Sequence, residues 1–293
     1  MGVAVVTMDQ PEHNNSFTPE MIEALMVAFW RIWNDDRVKA VVLTGTERVF
    51  SMGGTKDQLI AISRQEISFT DAPFLYAGLL LTKVPVVTAV RGHASGGGFM
   101  LGLFGDIIVL SDEGVYTSPF TKYGFTPGMG ATYILERKLG RNLALEMMMT
   151  ARSYTGAELA ARGAGVKVHA AEGLLEEAVA IARTIASHPR DTSIELKAHM
   201  LGTSLEDLLA TIDQEQVMHE RTFVAKNVHE NIATYYVSED RKKSPPRQLP
   251  HQSKGHVDDA AAPDVDAAYL EELLDMVEQG TLTPEQALFL DEN

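Results

Sequence analysis

Arg91-Gly-His-Ala-Ser-Gly-Gly-Gly98 follows the apolar run Val84-Pro-Val-Val-Thr-Ala-Val90 and leads into Phe99-Met-Leu-Gly-Leu-Phe104. The pattern is that of a strand, a glycine turn and a helix start. Glycines let a backbone approach a ligand closely, and the free N–H groups of a first helical turn favour negative charge on it. A developing oxyanion is a ligand of that kind. A turn that only packs helix against strand would read the same way from this segment alone.

A second segment weights the choice toward chemistry. Ala40-Val-Val-Leu-Thr-Gly-Thr-Glu-Arg-Val-Phe-Ser-Met-Gly-Gly-Thr-Lys56 is another apolar strand ending at a glycine pair. One more N–H there could reach the same oxygen. With Pro11-Glu-His-Asn-Asn-Ser16 before it and Tyr123-Gly-Phe-Thr-Pro-Gly-Met-Gly-Ala-Thr132 after it, the order and spacing resemble the crotonase (enoyl-CoA hydratase/isomerase) superfamily over residues 1–237. The resemblance implies an α/β crotonase fold of repeated ββα units with a C-terminal helical trimerisation region. It implies backbone N–H groups of Met52 and Gly97 as an oxyanion hole for a thioester. Gly53, His93, Gly96, Met100, Phe120 and Phe125 are expected to line the substrate pocket.

Hydratases of this superfamily move water with two glutamates, and the matching positions are Met100 and Phe120. Neither side chain transfers a proton, so hydration is not expected. An apolar pocket with an oxyanion hole suits decarboxylation of an acyl thioester, because loss of CO2 itself generates the enolate and only one acid is then needed. The segments at 50–56 and 123–132, with Met218-His-Glu-Arg-Thr-Phe223, look like the crotonase-fold decarboxylases of polyketide β-branching cassettes. Those act on a 3-methylglutaconyl-type group carried on an acyl carrier protein and use a late histidine and a loop lysine. His219 matches the histidine as proton donor. Lys56 is the candidate lysine, although the family position falls nearer Ile67-Ser-Phe-Thr-Asp71, where Ser68 stands; Arg64 is a further substitute, and either cation could be a solvated surface charge. His93 has two readings, a pocket residue or one that orients the glycine turn. The expected product is a 3-methylcrotonyl-type thioester. Alternatives are a hydratase or isomerase with an unrecognised base, or a non-catalytic scaffold.

The 293 residues carry a net charge of −15, but residues 257–293 hold 11 of the 40 acidic residues and no Lys or Arg, leaving 29 acidic against 25 basic residues, a net of −4, in the rest. Such a body argues against nucleic acid or a membrane surface as partner. No apolar stretch is long enough to span a membrane, and the N-terminus has no basic segment followed by an apolar core, so a cytoplasmic location is expected. The absence of cysteine removes disulfides and thiolate chemistry. The nine histidines show no metal-ligand spacing. No metal or redox cofactor is expected; the substrate rides on carrier phosphopantetheine or CoA.

The elements that must position these groups read as alternating strands and helices, hence crossover connections and parallel strands. Residues 3–7, 40–44, 84–90 and 107–110 read as strands. Residues 19–34 read as a helix with Thr18 as cap, Pro19 at its first position and Met21, Leu25, Phe29 and Ile32 at helical spacing. Helices are expected at 143–150, 155–162, 174–187, 193–200 and 205–223. Residues 1–240 form the catalytic domain in this reading, as a homotrimer or dimer of trimers. Residues 241–265 read as a flexible linker, and 266–293 as an acidic helical tail that could dock polyketide synthase modules.

Overall fold

The computed structural model describes residues 2–72, 74–225 and 227–236. The linker and tail expected at 241–265 and 266–293 lie outside the described residues. In chain order the elements are β1 (Val3–Thr7), α1 (Pro19–Trp33), β2 (Ala40–Thr44), β3 (Val49–Ser51), α2 (Lys56–Ser63), α3 (Leu79–Leu81), β4 (Val86–Val90), β5 (His93–Ser95), α4 (Gly97–Leu103), β6 (Ile107–Ser111), β7 (Val115–Thr117), α5 (Phe120–Tyr123), α6 (Ala131–Leu139), α7 (Arg141–Thr150), β8 (Ser153–Thr155), α8 (Gly156–Ala161), β9 (Lys167–His169), α9 (Leu174–Ala186), α10 (Arg190–Phe223) and α11 (Val228–Tyr235).

The strands form a five-stranded sheet, β1-β2-β4-β6-β9, and a four-stranded sheet, β3-β5-β7-β8. Every pairing is parallel except β7 with β8. The larger sheet is covered on both faces, and strand alternation divides its side chains. Ala40, Val42, Val87, Ala89 and Val109 meet Leu174, Ala178 and Ala182 of α9, while Val41, Leu43, Val86, Val90, Ile108 and Leu110 enter the main core. In α1, the Thr18 hydroxyl accepts the Met21 N–H at 3.1 Å, and Met21, Leu25, Phe29 and Ile32 are buried as their spacing predicts.

In the smaller sheet β3 and β5 run parallel, with Val49 opposite His93 and Ser51 opposite Ala94. Their C-terminal ends therefore release the glycine segments 52–54 and 96–98 side by side. The site rests on this register.

The helices expected at 193–200 and 205–223 form one element, α10, broken at Gly202 (φ 26°, ψ −123°). Ahead of the break, Lys197 is buried and its ammonium meets the Asp106 carboxylate at 2.8 Å and the carbonyls of Leu79 and Val84 at 3.0 and 3.3 Å. Asp106 also accepts the Val86 N–H at 2.7 Å. Burial pushes the Lys197 ammonium below its ordinary value, and Asp106 opposes that shift. Only the lysine end of the pair is buried, so removing the exposed Asp106 carboxylate strands a buried ammonium. Asp106→Ala, which leaves the buried Lys197 ammonium without its carboxylate, is therefore expected to lower the unfolding free energy by about 3–5 kcal/mol in urea titrations; a loss under about 1 kcal/mol would mean that the pair does not tie α10 to the sheet.

Candidate active site

The two glycine segments approach so closely that side chains are excluded. A Cβ on Gly53 would lie 2.9 Å from the nitrogens of both Gly97 and Gly98, and one on Gly98 would lie 2.3 Å from the Ser51 carbonyl oxygen. The turn at 11–16 braces this contact. Buried Asn15 donates from its amide nitrogen to the carbonyls of Val49 and Phe50 at 3.0 and 3.1 Å and accepts the Gln10 N–H at 2.7 Å. Ser51 donates to the Asn15 carbonyl at 2.7 Å, and the Phe17 N–H reaches the Gly53 carbonyl at 2.8 Å.

A cleft opens beside the glycine segments, with about 830 Å3 of empty space including its mouth. Met52, Gly54, Gly96 and Gly97 form one part of its wall; Phe120, Tyr123, Phe125 and Met129 form another. Gln58, Leu59 and Ile62 of α2, then Ser68 and Phe69, close the remainder. Among the described residues, no Asp, Glu, Lys, Arg or His lines it. Its polar side chains are Gln58, Ser68, Ser95, Tyr123 and Tyr236.

Gly97 opens α4, so its N–H is outside the helix's own hydrogen bonding, and it finds no acceptor among the described residues. Met52 differs from the expectation. It lines the cleft, but its N–H donates to the Asn14 carbonyl at 3.2 Å, because the left-handed residues Asn14 and Asn15 (φ 50° and 49°) turn that carbonyl inward. One backbone donor is free, and the second is held by the chain itself.

Four other expectations are corrected. Gly53 does not line the cleft, because its close packing against Gly97 and Gly98 turns it away and leaves Met52 and Gly54 on the wall. His93 is exposed and does not line the cleft; alternation along β5 buries Ala94 and turns His93 outward, where its Nδ1 accepts the Val115 N–H at 3.2 Å. Met100 is buried in the main core rather than lining the cleft, because α4 is covered on nearly every side. Lys56 occupies the first position of α2 and does not line the cleft, which takes Gln58, Leu59 and Ile62 from that helix. Arg64 is exposed, 3.9 Å from Glu66. Ser68, standing where the resemblance expects a lysine, does line it.

His219 lies on α10 directly behind the wall, 4% exposed, its ring 4.4 Å from those of Phe69 and Phe223 and 5.8 Å from that of Phe125. Its Nδ1 is 2.8 Å from the Thr126 carbonyl, which can only accept, so Nδ1 carries the proton. Nε2 is buried without a partner. Burial pushes the imidazole down to about 4, against the opposing effects of the Thr126 carbonyl and Glu220. The resting ring is therefore neutral, with a lone pair on Nε2.

The same helix face carries a residue that the sequence reading did not single out. Glu215, one turn before His219 and 2% exposed, accepts the N–H groups of Gly130 and Thr132 at 2.7 Å each and the Thr132 hydroxyl. Thr222 adds its hydroxyl as acceptor for the Thr126 N–H at 3.1 Å. Glu215, His219 and Thr222 thus hold both ends of the segment that supplies Phe125, Gly128 and Met129 to the cleft. The visible signal was the i, i+4 spacing of Glu215 and His219.

The enoyl-CoA hydratase/isomerase family model matches residues 1–244. Bacillaene synthase decarboxylase PksI of Bacillus subtilis is 43% identical over 231 residues, covering 79% of this chain and 92% of that protein. A solved structure from a dehydratase/decarboxylase enzyme couple involved in polyketide beta-branching superposes with a TM-score of 0.76 at 42% identity, covering 80% and 92% of the two chains. The ECH2 decarboxylase domain of CurF from Lyngbya majuscula also superposes at 0.76, with 35% identity and 80% and 95% coverage. Mitochondrial enoyl-CoA hydratase of Pongo abelii is 32% identical over 238 residues, covering 80% of each.

The buried neutral imidazole has a stability consequence. Its folded value, about 4, is below the ordinary 6.5. The unfolded chain therefore takes up a proton that the folded chain refuses, and stability present above pH 6.5 falls as the pH drops toward 4. This group alone contributes on the order of 3 kcal/mol to that fall. His219→Gln is expected to flatten the decline in unfolding free energy between pH 7 and pH 4; a slope identical to wild type would contradict the assignment.

Proposed function

The chain belongs to the enoyl-CoA hydratase/isomerase family, and we propose that within it this protein is a decarboxylase of a 3-methylglutaconyl-type thioester on an acyl carrier protein, acting in polyketide β-branching. The observation that carries this reading is a cleft that joins a free oxyanion-type donor to a lining that has no charged side chain among the described residues. Water addition needs a positioned acid and base. Decarboxylation needs a place for electrons and one proton.

The bond between the terminal carboxylate and its methylene breaks, CO2 leaves, and the electron pair passes through the conjugated alkene onto the thioester oxygen. The Gly97 N–H receives that charge. The Met52 N–H joins it when the dienolate oxygen, a stronger acceptor than an amide carbonyl, displaces Asn14. The dienolate then takes one proton on carbon, at the position that sets the alkene. No step requires a metal or a redox cofactor. His219 supplies that proton from Nε2, and since its resting ring is neutral, the proton must arrive with the substrate: a carboxylate brought into the apolar cleft raises the affinity of the nearby imidazole for a proton.

The carrier protein is the partner that presents the substrate, and a cytoplasmic site belongs to the same proposal. Among the described residues no helix is long and apolar enough to cross a membrane. A trimer, or a dimer of trimers, is supported by Leu196 and Met200, one turn apart on α10 and 62% and 72% exposed, which a neighbouring subunit would cover. Residues 266–293 are proposed to dock synthase modules. Truncation after residue 240 should leave turnover of carrier-bound substrate intact and weaken association with those modules; aggregation of the truncated protein would place the tail in the core.

Mass spectrometry of a 3-methylglutaconyl-carrier incubated with the protein tests the activity. Loss of CO2 supports decarboxylation, gain of water would mean a hydratase, and an unchanged mass would mean a non-catalytic scaffold. His219→Gln is expected to slow CO2-coupled product formation by roughly 100-fold and to shift the ratio of α,β to β,γ alkenes. Wild-type rate and ratio would remove His219 from the mechanism.

A further inference from the structure

The cleft wall must meet the carboxylate that the substrate loses, and among the described residues no cation lines it. Its polar side chains are mostly committed. The Gln58 Oε1 accepts the Thr55 N–H at 2.9 Å, and the Tyr236 hydroxyl donates to the Gly54 carbonyl at 3.0 Å. Tyr123 is different: 9% exposed, it lines the cleft, and its hydroxyl makes no hydrogen bond to any described residue. Its ring stacks on Phe125 at a centroid distance of 5.8 Å, which fixes the plane in which the hydroxyl can lie.

Its position along α5 suits a five-carbon diacid. The Phe120 ring comes within 4.0 Å of a Cβ placed on Gly96, at the oxyanion end of the cleft. Tyr123 is three residues farther along the same helix, a rise of about 4.5 Å. The carboxyl of a glutaconyl chain stands about 5 Å from its thioester carbon, four carbon–carbon bonds away.

Resting on the decarboxylase reading, the geometry points to Tyr123 as the group that holds the departing carboxylate, donating a neutral phenol hydrogen bond where the family resemblance would place a cation. Burial, with Tyr236 nearby, pushes the phenol up to about 12, so it remains a donor throughout the working pH range. A neutral donor orients the carboxylate without the strong ground-state stabilisation of an ion pair, and that leaves the charged reactant easier to convert into the dispersed dienolate.

The test separates carboxylate recognition from turnover. 3-Methylglutaryl-pantetheine is saturated, so its carboxylate has no conjugated path to the thioester and is not lost; isovaleryl-pantetheine is the same chain without that carboxylate. Calorimetry of both ligands with wild type and Tyr123→Phe is expected to show about 10-fold or greater weakening for the glutaryl ligand alone. The melting temperature should be unchanged, since the hydroxyl bonds to no described residue. Equal weakening of both ligands, no weakening of either, or a wild type indifferent to the carboxylate overturns the inference. The wild-type CO2 assay is read independently: no CO2 from the glutaconyl-carrier means the decarboxylase reading fails, whereas CO2 release with Tyr123→Phe binding like wild type means only the Tyr123 assignment fails.

Discussion

Polar groups on α10 fix the cleft wall to the sheet, and most of them are paired because an unpaired polar group in the interior costs several kcal/mol. Ahead of Gly202, Lys197 ties the helix to Asp106 and the start of β4. Beyond it, Glu215 and Thr222 tie the helix to the segment from Thr126 to Thr132. His219 sits between these anchors, bonded through Nδ1 to Thr126. The cleft wall is therefore positioned by a helix that is itself fixed to the sheet.

The opposite wall is held by backbone geometry rather than charge. Parallel pairing of β3 and β5 sets the two glycine segments side by side, and the absence of Cβ atoms at Gly53 and Gly98 lets them touch. Asn15 replaces the hydrogen bonds that these strand ends would otherwise lack. Its neighbour Asn14 accepts the Met52 N–H at 3.2 Å, so this amide is satisfied within the chain.

Much of this was legible in sequence where the signal is local. Thr18, Pro19 and the spacing of Met21, Leu25, Phe29 and Ile32 specify α1 by capping and periodicity, and the structure shows both. Helix α6 (Ala131–Leu139) was not legible: the acceptor at its N-terminus is Glu215, 85 residues away, and no local cap announces it. The positions of His93, Met100 and Lys56 show the limit of motif matching, which places a residue near a site without saying which way it points. Strand alternation turns His93 out, the burial of α4 takes Met100 into the core, and α2 presents other residues to the cleft. The Asn14–Met52 bond belongs to the same class, since it depends on two segments whose approach no local pattern encodes.

Among the described residues the cleft lining carries no charge, and the imidazole behind it is neutral. In the proposed mechanism the substrate carboxylate brings the first full charge to the site. In so apolar a setting it is expensive to hold, which favours both its loss as CO2 and, before that, the uptake of a proton by His219. Once CO2 has gone and the proton is on carbon, acyl product and imidazole are neutral again. The depressed proton affinity of His219, costly to stability in acid, thus becomes useful here: a ring that holds its proton weakly gives it up readily to a carbanion, and is recharged only when the next carboxylate enters.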